Sequence, residues 1–359
     1  MLKRIHLMRP FVGKQEIEEI EKVFKTKFLT EGEITKKFEK SITDYTKTKY
    51  GIATTSATTA LHTMFHCMGV KGKKVLVSDF TFPATVLAII QAGGKPELVD
   101  VEKDTMNISR EIVENSLTKD IEFIAPVSLF GNPLDYDFYK LKNQGLKIIE
   151  DAATNLGTKV NEKFVGELAD VTCFSFHPRK IITTGEGGMI VTNNKKIEDS
   201  MKTFKTFGKK KSEFIEIGTN YKISDIQSAI GLVQMKKIEK IIKNRINKAK
   251  IYDELFSKID FIFPQEKTKK SRHTYQSYTC IITKTGLRNK IIKKLSEKNI
   301  ESQIGTYALH CLPAFKKIKN HNPKNSEYLY KNSISFPLHE ELSEKDQKFI
   351  YSIIKNEIV

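Results

Sequence analysis

One lysine lies at a position where a side chain could carry out chemistry. Residues 170–193 read DVTCFSFHPRKIITTGEGGMIVTN, and two short apolar runs within them, 171–176 and 189–192, predict strands. Lys180 falls on the irregular, glycine-rich connection between those strands. Partial burial there would lower the pKa of its amine and make it a nucleophile for Schiff-base formation. Position alone favours a solvated surface lysine, because buried lysines are rare, so other residues must decide.

Small hydroxylated residues follow another predicted strand, at residues 50–54. The segment TTSATTALH, residues 54–62, opens a predicted helix there. The first turn of a helix offers free N–H groups and a favourable dipole, so Ala57 and Thr58 are candidates for binding a phosphate. Ordinary N-capping by Thr55 or Ser56 explains the same residues and is favoured for the segment in isolation.

Three more candidates lie at the ends of predicted strands. Asp151, in IIEDAATNLG, follows an apolar strand and could form a charge-assisted hydrogen bond with a protonated ring nitrogen. Phe82, in DFTFPAT, could cover a flat ring, and Ser175 lies five residues before Lys180. A helix-capping role for Asp151 and a core position for Phe82 are the ordinary alternatives.

Together these residues supply an amine, an acid, an aromatic side chain and a phosphate site. Pyridoxal phosphate requires this set: a lysine for the Schiff base, an acid for the pyridine nitrogen and anchors for the phosphate. Their joint occurrence at strand ends is stronger evidence than any one of them alone. The residues therefore favour a pyridoxal-phosphate enzyme.

The elements that must position these residues alternate between strand and helix. Strands are predicted at residues 50–54, 74–77, 96–101, 121–127 and 147–150, and helices at 56–68, 81–92 and 136–143. Alternation of this kind, with nearly continuous apolar strands, predicts an α/β fold with a mostly parallel central sheet covered by helices.

Helices are also predicted at both ends of this unit. One begins at Gly13 and has four apolar residues on one side, namely Ile17, Ile20, Val23 and Phe24, and a second begins at Thr30. Residues 224–256 predict one or two long helices. Residues 1–250 are expected to form the large domain. Residues 251–359 are expected to form a smaller α+β domain with a strand at 275–282 and helices at 287–298 and 343–355.

Composition narrows the class of protein. The 359 residues carry a formal net charge of +17, but the charge is mostly scattered lysine without the arginine and aromatic clusters typical of a nucleic-acid surface. The four cysteines are far apart and lack metal-ligand spacing, which favours a reducing compartment. No signal peptide or long apolar run is evident, so we expect a soluble, cytoplasmic protein that binds no membrane, metal or nucleic acid.

The motifs resemble those of the DegT/DnrJ/EryC1/StrS aminotransferases, the nucleotide-sugar branch of fold-type-I pyridoxal-phosphate enzymes. The resemblance covers about residues 5–345 and rests on five ordered segments: SATTALH at 56–62, FTFPAT at 80–85, EDAA at 150–153, SFHPRKIITTGEGGMIVTN at 175–193 and GTNYKISDIQSAIG at 218–231. It implies transfer of an amino group from an amino acid, expected to be L-glutamate, to a keto-sugar linked to a nucleotide diphosphate. The expected pathway is biosynthesis of cell-surface polysaccharide, such as lipopolysaccharide, or another glycan.

The resemblance also implies residue roles. Lys180 would form the Schiff base and then move the proton, while Asp151 would pair with the pyridine nitrogen and Phe82 would stack on the ring. The phosphate would be held by the residues at two strand ends, Ala57, Thr58 and Ser175. Asn220 would reach that phosphate from the other subunit of a homodimer with shared active sites.

The chain departs from the family pattern at two places. Thr154 stands where the family often has a glutamine or histidine that contacts the cofactor, and we expect its shorter hydroxyl to contact the cofactor there. In SQIGTYALH, where some relatives carry an arginine ahead of a Gly-Thr-His segment, we expect Gln303, Tyr307 and His310 to bind substrate. An aminotransferase for a keto-cyclitol and a sugar dehydratase of the same family are the alternatives. Such dehydratases replace the lysine by histidine, so Lys180 argues against the latter.

Overall fold

The computed structural model describes residues 4–357, which form ten α-helices, three short 3-10 helices and eighteen strands. The helices are α1 (Lys14–Thr26), α2 (Glu33–Thr46), α3 (Ala57–Met68), α4 (Ala84–Gln91), α5 (Arg110–Ser116), α6 (Lys195–Lys205), α7 (Asp225–Phe256), α8 (Leu287–Glu297), α9 (Lys324–Asn332) and α10 (Glu344–Glu357). The 3-10 helices are Tyr136–Gln144, Leu309–Cys311 and Pro313–Phe315. No helix within residues 4–357 has the length and apolar character needed to cross a membrane.

The strands range from two to five residues in length. They are β1 (Tyr50–Thr54), β2 (Lys74–Ser78), β3 (Phe80–Thr81), β4 (Lys95–Val99), β5 (Ile121–Ala125), β6 (Lys147–Asp151), β7 (Lys159–Val160), β8 (Lys163–Phe164), β9 (Val171–Ser175), β10 (Gly188–Thr192), β11 (Lys209–Lys210), β12 (Glu213–Phe214), β13 (Ile262–Pro264), β14 (Ser271–Arg272), β15 (Tyr278–Ile282), β16 (Gln303–Ile304), β17 (Tyr307–Ala308) and β18 (Ser333–Phe336).

Seven strands form the central sheet in the order β1-β10-β9-β6-β5-β2-β4. The contiguous set from β9 to β4 is parallel throughout, and β10 is antiparallel to both of its neighbours. The predicted α/β fold with a mostly parallel sheet is confirmed. Because parallel strands end on one edge, the carboxyl ends of β2, β5, β6 and β9 bring their following residues together.

Helices cover both faces of this sheet, as the apolar strands predicted. On β10, Ile190 packs into a core built with α3 and α4, whereas Met189 and Val191 pack into a second core with α2 and α7. Successive side chains of a strand point to opposite faces, so one strand serves both cores. All five residues of β10 are buried.

Residues Asp225–Phe256 form one continuous helix, α7, whereas the sequence pattern is compatible with either one or two helices. Its start is fixed by a capping box, in which Ser224 and Gln227 each bind the other's backbone N–H. Its carboxyl-terminal part adds Tyr252 and Phe256 to a further apolar core under the four-stranded sheet β13-β15-β18-β16. That core draws on both sides of the domain division expected between residues 250 and 251.

The apolar side predicted for α1 is only partly buried. Val23 is buried, but Ile17 and Phe24 are exposed. The helix packs on α7 through Val23 and through Glu16, whose carboxylate accepts hydrogen bonds from Lys237 and Gln234. The predicted helix is confirmed, but of its apolar residues Ile17 and Phe24 are left uncovered in the single chain.

Candidate active site

A cavity of about 560 Å³ opens at the carboxyl edge of the central sheet. Most of the predicted site residues line it, namely Ala57, Thr58, Phe82, Asp151, Thr154, Ser175, Lys180 and Gln303. Asn220, Tyr307 and His310 are not among the lining residues. Five separate segments of the sequence thus converge on one cavity, as expected for the edge of a parallel sheet.

The amino end of α3 forms one wall. Ser56 is its N-cap, and its hydroxyl accepts a hydrogen bond from the Thr59 N–H (3.1 Å). The N–H groups of Ala57 and Thr58 belong to the first turn, which has no acceptor within its own helix. The capping role and the phosphate-binding role considered for this segment are therefore compatible, since different residues serve each.

Gly188 allows β10 to approach this helix end closely. A Cβ atom at Gly188 would lie 2.4 Å from the Ser56 carbonyl oxygen and 2.8 Å from the Ala57 nitrogen, which is a clash with backbone. Gly188 is also the register partner of Ser175 on β9. The glycine thus brings the Ser175 end of β9 and the first turn of α3 to the same wall.

Asp151 ends β6 and is 5% exposed. Its two carboxylate oxygens accept hydrogen bonds from the Thr85 hydroxyl (2.6 Å) and from the Ala153 N–H (3.0 Å). Burial raises the pKa of this carboxyl, while those two bonds and the charge of Lys180 act in the opposite direction. The bonds fix the orientation of a buried carboxyl group that lines the cavity.

Glu150 precedes Asp151 but does not line the cavity. Its carboxyl is fully buried and accepts hydrogen bonds from the Ser128 hydroxyl (3.0 Å) and the Tyr139 hydroxyl (3.1 Å). Burial, partly opposed by these bonds, raises the pKa of Glu150 to about 7. The alternation along β6 thus gives the two acids different surroundings and leaves Asp151 alone on the cavity side.

We expect stability to fall between about pH 4.5 and pH 7 because of Glu150. The pKa is raised in the folded state, so the unfolded chain loses this proton first as pH rises, and the folded state is progressively disfavoured. The full penalty is up to about 3 kcal/mol above pH 7 and is absent below pH 4.5. In thermal melts at pH 5 and pH 8, the Tm of Glu150→Gln relative to that of the native protein should be higher at pH 8 than at pH 5. Parallel shifts in both proteins would contradict this.

Lys180 sits on the turn that follows β9. Its backbone N–H donates to the His177 carbonyl (2.9 Å), and the Thr184 N–H donates to the Phe176 carbonyl (3.0 Å), which closes the connection back towards β10. Burial lowers the pKa of the Lys180 amine, opposed by the negative charge of Asp151. Within residues 4–357 its Nζ has no hydrogen-bond partner, so the amine is available to a bound molecule.

Thr154 and Phe82 lie on the cavity wall in different surroundings. Thr154 Oγ1 lies 2.9 Å from the Ser128 carbonyl oxygen and 2.8 Å from Asn155 Oδ1, so its hydroxyl already has protein partners. Phe82 is 63% exposed, which rules out the alternative of a core phenylalanine in the single chain. Its ring centroid lies 6.4 Å from that of Tyr307.

Tyr307 reaches this neighbourhood because β17 pairs with β3, in the register Tyr307↔Thr81. The helix predicted at residues 81–92 therefore starts later, at Ala84, after β3 and Pro83. The carboxyl-terminal part of the chain thus contacts the edge of the site through a short antiparallel pair.

His310 is held by a buried acid behind the site. The backbone N–H of His310 donates to Asp79 Oδ1 (2.8 Å), and the imidazole Nδ1 lies 2.7 Å from Asp79 Oδ2. Asp79 is fully buried at the end of β2, and burial raises its pKa while His310 opposes that shift. The pair fastens the 3-10 helix Leu309–Cys311 to the large sheet. A direct contact of His310 with substrate stays a prediction.

Asn220 lies on the surface, in an isolated bridge with Thr206. It does not join the cavity of its own chain. Its predicted contact with a phosphate would therefore have to be made in a neighbouring subunit.

Other lining residues were given no site role from the sequence, and Arg179 is the most notable. Its Nη1 donates to Gln303 Oε1 (3.1 Å). His177 and Glu186 also line the cavity, with His177 Nε2 4.0 Å from Glu186 Oε1. All three lie within the same motif as Lys180, so proximity in sequence was the signal that could have found them.

This set of groups fits pyridoxal phosphate. The first turn of α3 and Ser175 offer donors for a phosphate, Asp151 is a buried acceptor for a ring nitrogen, and Lys180 is an amine with no hydrogen-bond partner among the described residues. No cluster of metal-ligating side chains is found in the described part of the chain.

Comparisons with known proteins identify the family. The model of the DegT/DnrJ/EryC1/StrS aminotransferase family matches residues 10–355. The chain is 33% identical to the uncharacterized protein MJ1066 of Methanocaldococcus jannaschii, covering 97% of this chain and 96% of that one. It is 32% identical to the UDP-4-amino-4,6-dideoxy-N-acetyl-beta-L-altrosamine transaminase of Campylobacter jejuni, covering 94% and 93%.

Solved structures are similarly close. The Helicobacter pylori aminotransferase PseC, involved in the biosynthesis of pseudoaminic acid, has a TM-score of 0.93 at 26% identity, covering 99% of each chain. A putative sugar aminotransferase of Streptococcus pneumoniae, Spr1654, was solved in its pyridoxamine-phosphate and pyridoxal-phosphate forms. The former has a TM-score of 0.93 at 26% identity, covering 98% of this chain and 97% of that one. Through its sequence and its fold, the chain belongs to the DegT/DnrJ/EryC1/StrS aminotransferase family and uses pyridoxal 5′-phosphate.

Proposed function

We propose that this enzyme transfers an amino group from L-glutamate to a keto-sugar linked to a nucleotide diphosphate, for the biosynthesis of cell-surface polysaccharide such as lipopolysaccharide. The observation that carries the proposal is a single cavity in which the Lys180 amine, the buried Asp151 carboxylate and the open first turn of α3 meet. The names of the relatives support the substrate class. They include the C. jejuni transaminase of a UDP-linked sugar and the GDP-perosamine synthase of Caulobacter vibrioides, which is 30% identical over 96% of each chain.

Each residue has a defined task in this proposal. The N–H groups of Ala57 and Thr58 and the hydroxyl of Ser175 hold the phosphate, and Phe82 covers one face of the ring. When bound, pyridoxal phosphate supplies a carbonyl that reacts with amines and a ring that withdraws electrons. Asp151 keeps a proton on the ring nitrogen. Lys180 Nζ acts as the base of the 1,3-proton shift: it takes the proton from one carbon of the reacting C–N–C unit and returns it to the other carbon.

Lys180 also decides between amino transfer and the dehydratase alternative. Its lowered pKa makes the neutral amine more populated near neutral pH than in an exposed lysine, so the same group can attack a carbonyl and accept a proton. We therefore favour amino transfer over dehydration.

A panel of nucleotide-linked keto-sugars, assayed with L-glutamate as donor, tests the proposal. We expect the yellow protein to lose its colour on addition of glutamate and to form an amino-sugar nucleotide with one member of the panel, detected by mass spectrometry. Failure of every nucleotide sugar, together with conversion of a free keto-cyclitol, would favour the alternative substrate class.

We further propose a homodimer with shared active sites. Several large apolar side chains are highly exposed in the single chain, including Phe28 (74%), Phe214 (70%) and Ile217 (93%). Phe214 lies on the β11–β12 hairpin, and the segment from this hairpin leads through Ile217 to Asn220. Exposed apolar groups of this size favour association, and a second subunit would cover them. The unpaired cysteines suit a reducing compartment, so we propose the cytoplasm.

Subunit complementation should restore activity if Asn220 acts across the interface. In a mixed dimer of Lys180→Ala and Asn220→Ala chains, one site would contain both lesions and the other neither. A side-chain bond to the phosphate is worth roughly 1.5–3 kcal/mol, or about one to two decades of cofactor affinity, so the assay is run at limiting cofactor.

The control is a mixture of each variant with itself, taken through the same exchange of subunits. Mixed dimers are identified by different affinity tags on the two chains. If tagged mixed dimers form and show no more activity than the parents, Asn220 acts within its own chain.

A further inference from the structure

Arg179 has a defined position in the cavity. Its Nη1 donates to Gln303 Oε1, and its backbone N–H donates to His177 Nδ1 (3.2 Å). Its carbonyl oxygen accepts a hydrogen bond from Gln276 Nε2 (2.6 Å). Three contacts, two of them from the carboxyl-terminal part of the chain, therefore hold both the backbone and the guanidinium of this residue.

The charges that line the cavity leave Arg179 without an ionic partner. The ionisable side chains of the lining are Asp151, His177, Arg179, Lys180 and Glu186. Among them Arg179 is the one with a permanent positive charge, and no ion pair of its guanidinium is found within residues 4–357. Gln303 is neutral, so it orients the guanidinium through one N–H and leaves the charge uncompensated. An arginine held in this way can bind an oxyanion with its other N–H groups.

We propose that Arg179, oriented by Gln303, binds a carboxylate of the amino-acid donor. The proposal rests on the function proposed above and names a specificity-determining contact within it.

The position next to Lys180 selects this anion over the diphosphate of the sugar substrate. An amino acid carries its α-carboxylate on the same carbon as the reacting amino group, so that carboxylate must lie close to the Lys180 amine during reaction. The diphosphate of a nucleotide sugar lies on the far side of the sugar ring from a reacting carbon. Arg179 and Lys180 are consecutive residues and both line the cavity.

The test measures donor and nucleotide binding separately in the Arg179→Gln holoenzyme. The donor arm uses the KM for L-glutamate in the colour-loss half-reaction and the Kd for glutarate, a dicarboxylate without an amine, by calorimetry. The nucleotide arm uses the Kd for UDP. We expect the KM for glutamate and the Kd for glutarate each to rise about tenfold. This is the lower end of the effect of losing a charge-assisted hydrogen bond, because Arg179 is exposed to solvent. The Kd for UDP should not change.

Two further variants sharpen the result. Arg179→Lys keeps the charge but loses the planar fork, so it should recover part of the affinity for glutarate. Arg110→Gln removes a guanidinium on α5 that is paired with Glu114 and Asp137 outside this cavity, and it should leave all three constants unchanged.

Three results would overturn the proposal. They are unchanged donor constants in Arg179→Gln, a weaker UDP complex in place of a weaker glutarate complex, and loss of bound cofactor, which would assign Arg179 to cofactor binding. If the native enzyme itself is not decolorised by any amino acid, the proposed function fails, and that result is distinct from each of these.

Discussion

Replacing Lys180 by alanine is expected to abolish amino transfer while leaving the fold intact. Lys180 supplies the amine that lines the cavity without a hydrogen-bond partner, and burial lowers its pKa. Loss of the proton-transfer group alone costs about 10²–10⁴-fold in rate, and loss of the covalent attachment adds to that. Within residues 4–357 the Lys180 amine forms no hydrogen bond, and other groups hold the loop, such as the Lys180 N–H on the His177 carbonyl and the Thr183 hydroxyl on the Phe176 carbonyl.

The measurement is steady-state turnover together with borohydride reduction and peptide mapping. Reduction of the native protein should place the cofactor on Lys180, and Lys180→Ala should carry no label. Lys196→Ala, which changes an exposed lysine at the start of α6, should turn over normally. Label on a different lysine would show that another amine holds the cofactor.

A small primary amine added to Lys180→Ala provides a second check. The substitution shortens the side chain and leaves space beside Asp151 in which such an amine can take over proton transfer. Partial recovery that increases with amine concentration is expected from a lost base. An inactive protein that no amine rescues, with an altered fold by circular dichroism, would indicate a structural role for Lys180.

The main elements of the fold could be predicted because their sequences are strongly patterned. Strand β1 was predicted with its observed bounds, and α3, β2 and β6 within one residue at each end, since apolar runs alternate there with capping or glycine residues. Helices α5, α6 and α9 were not predicted. Each has at most eleven residues, and α5 and α6 start at local side-chain caps, Ser109 and Asn194. Propensity alone is a weak signal over so few residues.

The candidate site shows the same division between local and long-range information. The residues at the carboxyl ends of strands, such as Asp151 and Ser175, could be placed because a parallel sheet gathers those ends at one edge. The Arg179–Gln303 contact joins residues 124 positions apart and has no local signature. The different surroundings of Glu150 and Asp151 could not be predicted from the sequence, because they depend on which face of β6 borders the cavity.

The replacement of Asp151 by asparagine is expected to reduce turnover by several orders of magnitude while the protein still binds cofactor. Asparagine has the shape of aspartate: its amide oxygen can still accept from the Ala153 N–H while its NH2 group donates to the Thr85 hydroxyl oxygen, so the cavity wall should persist. A neutral amide cannot stabilise a proton on a ring nitrogen, and the electron-withdrawing power of the ring falls when that proton is lost. The matched control is Glu150→Gln, which neutralises the adjacent buried acid on the other side of β6 and should retain activity.

The charge itself can be tested by changing the cofactor. An analogue methylated on the ring nitrogen carries a permanent positive charge and needs no acid to hold a proton there. We compare the turnover rate with the analogue to that with the natural cofactor in each protein. This ratio should be much larger for Asp151→Asn than for the native enzyme. The absorption spectrum of each protein verifies equal loading before rates are compared. If Asp151→Asn turns over at a nearly native rate with the natural cofactor, a different acid pairs with the ring. If the analogue restores nothing despite equal loading, Asp151 contributes through position and hydrogen bonding, and the electrostatic role assigned to it is wrong.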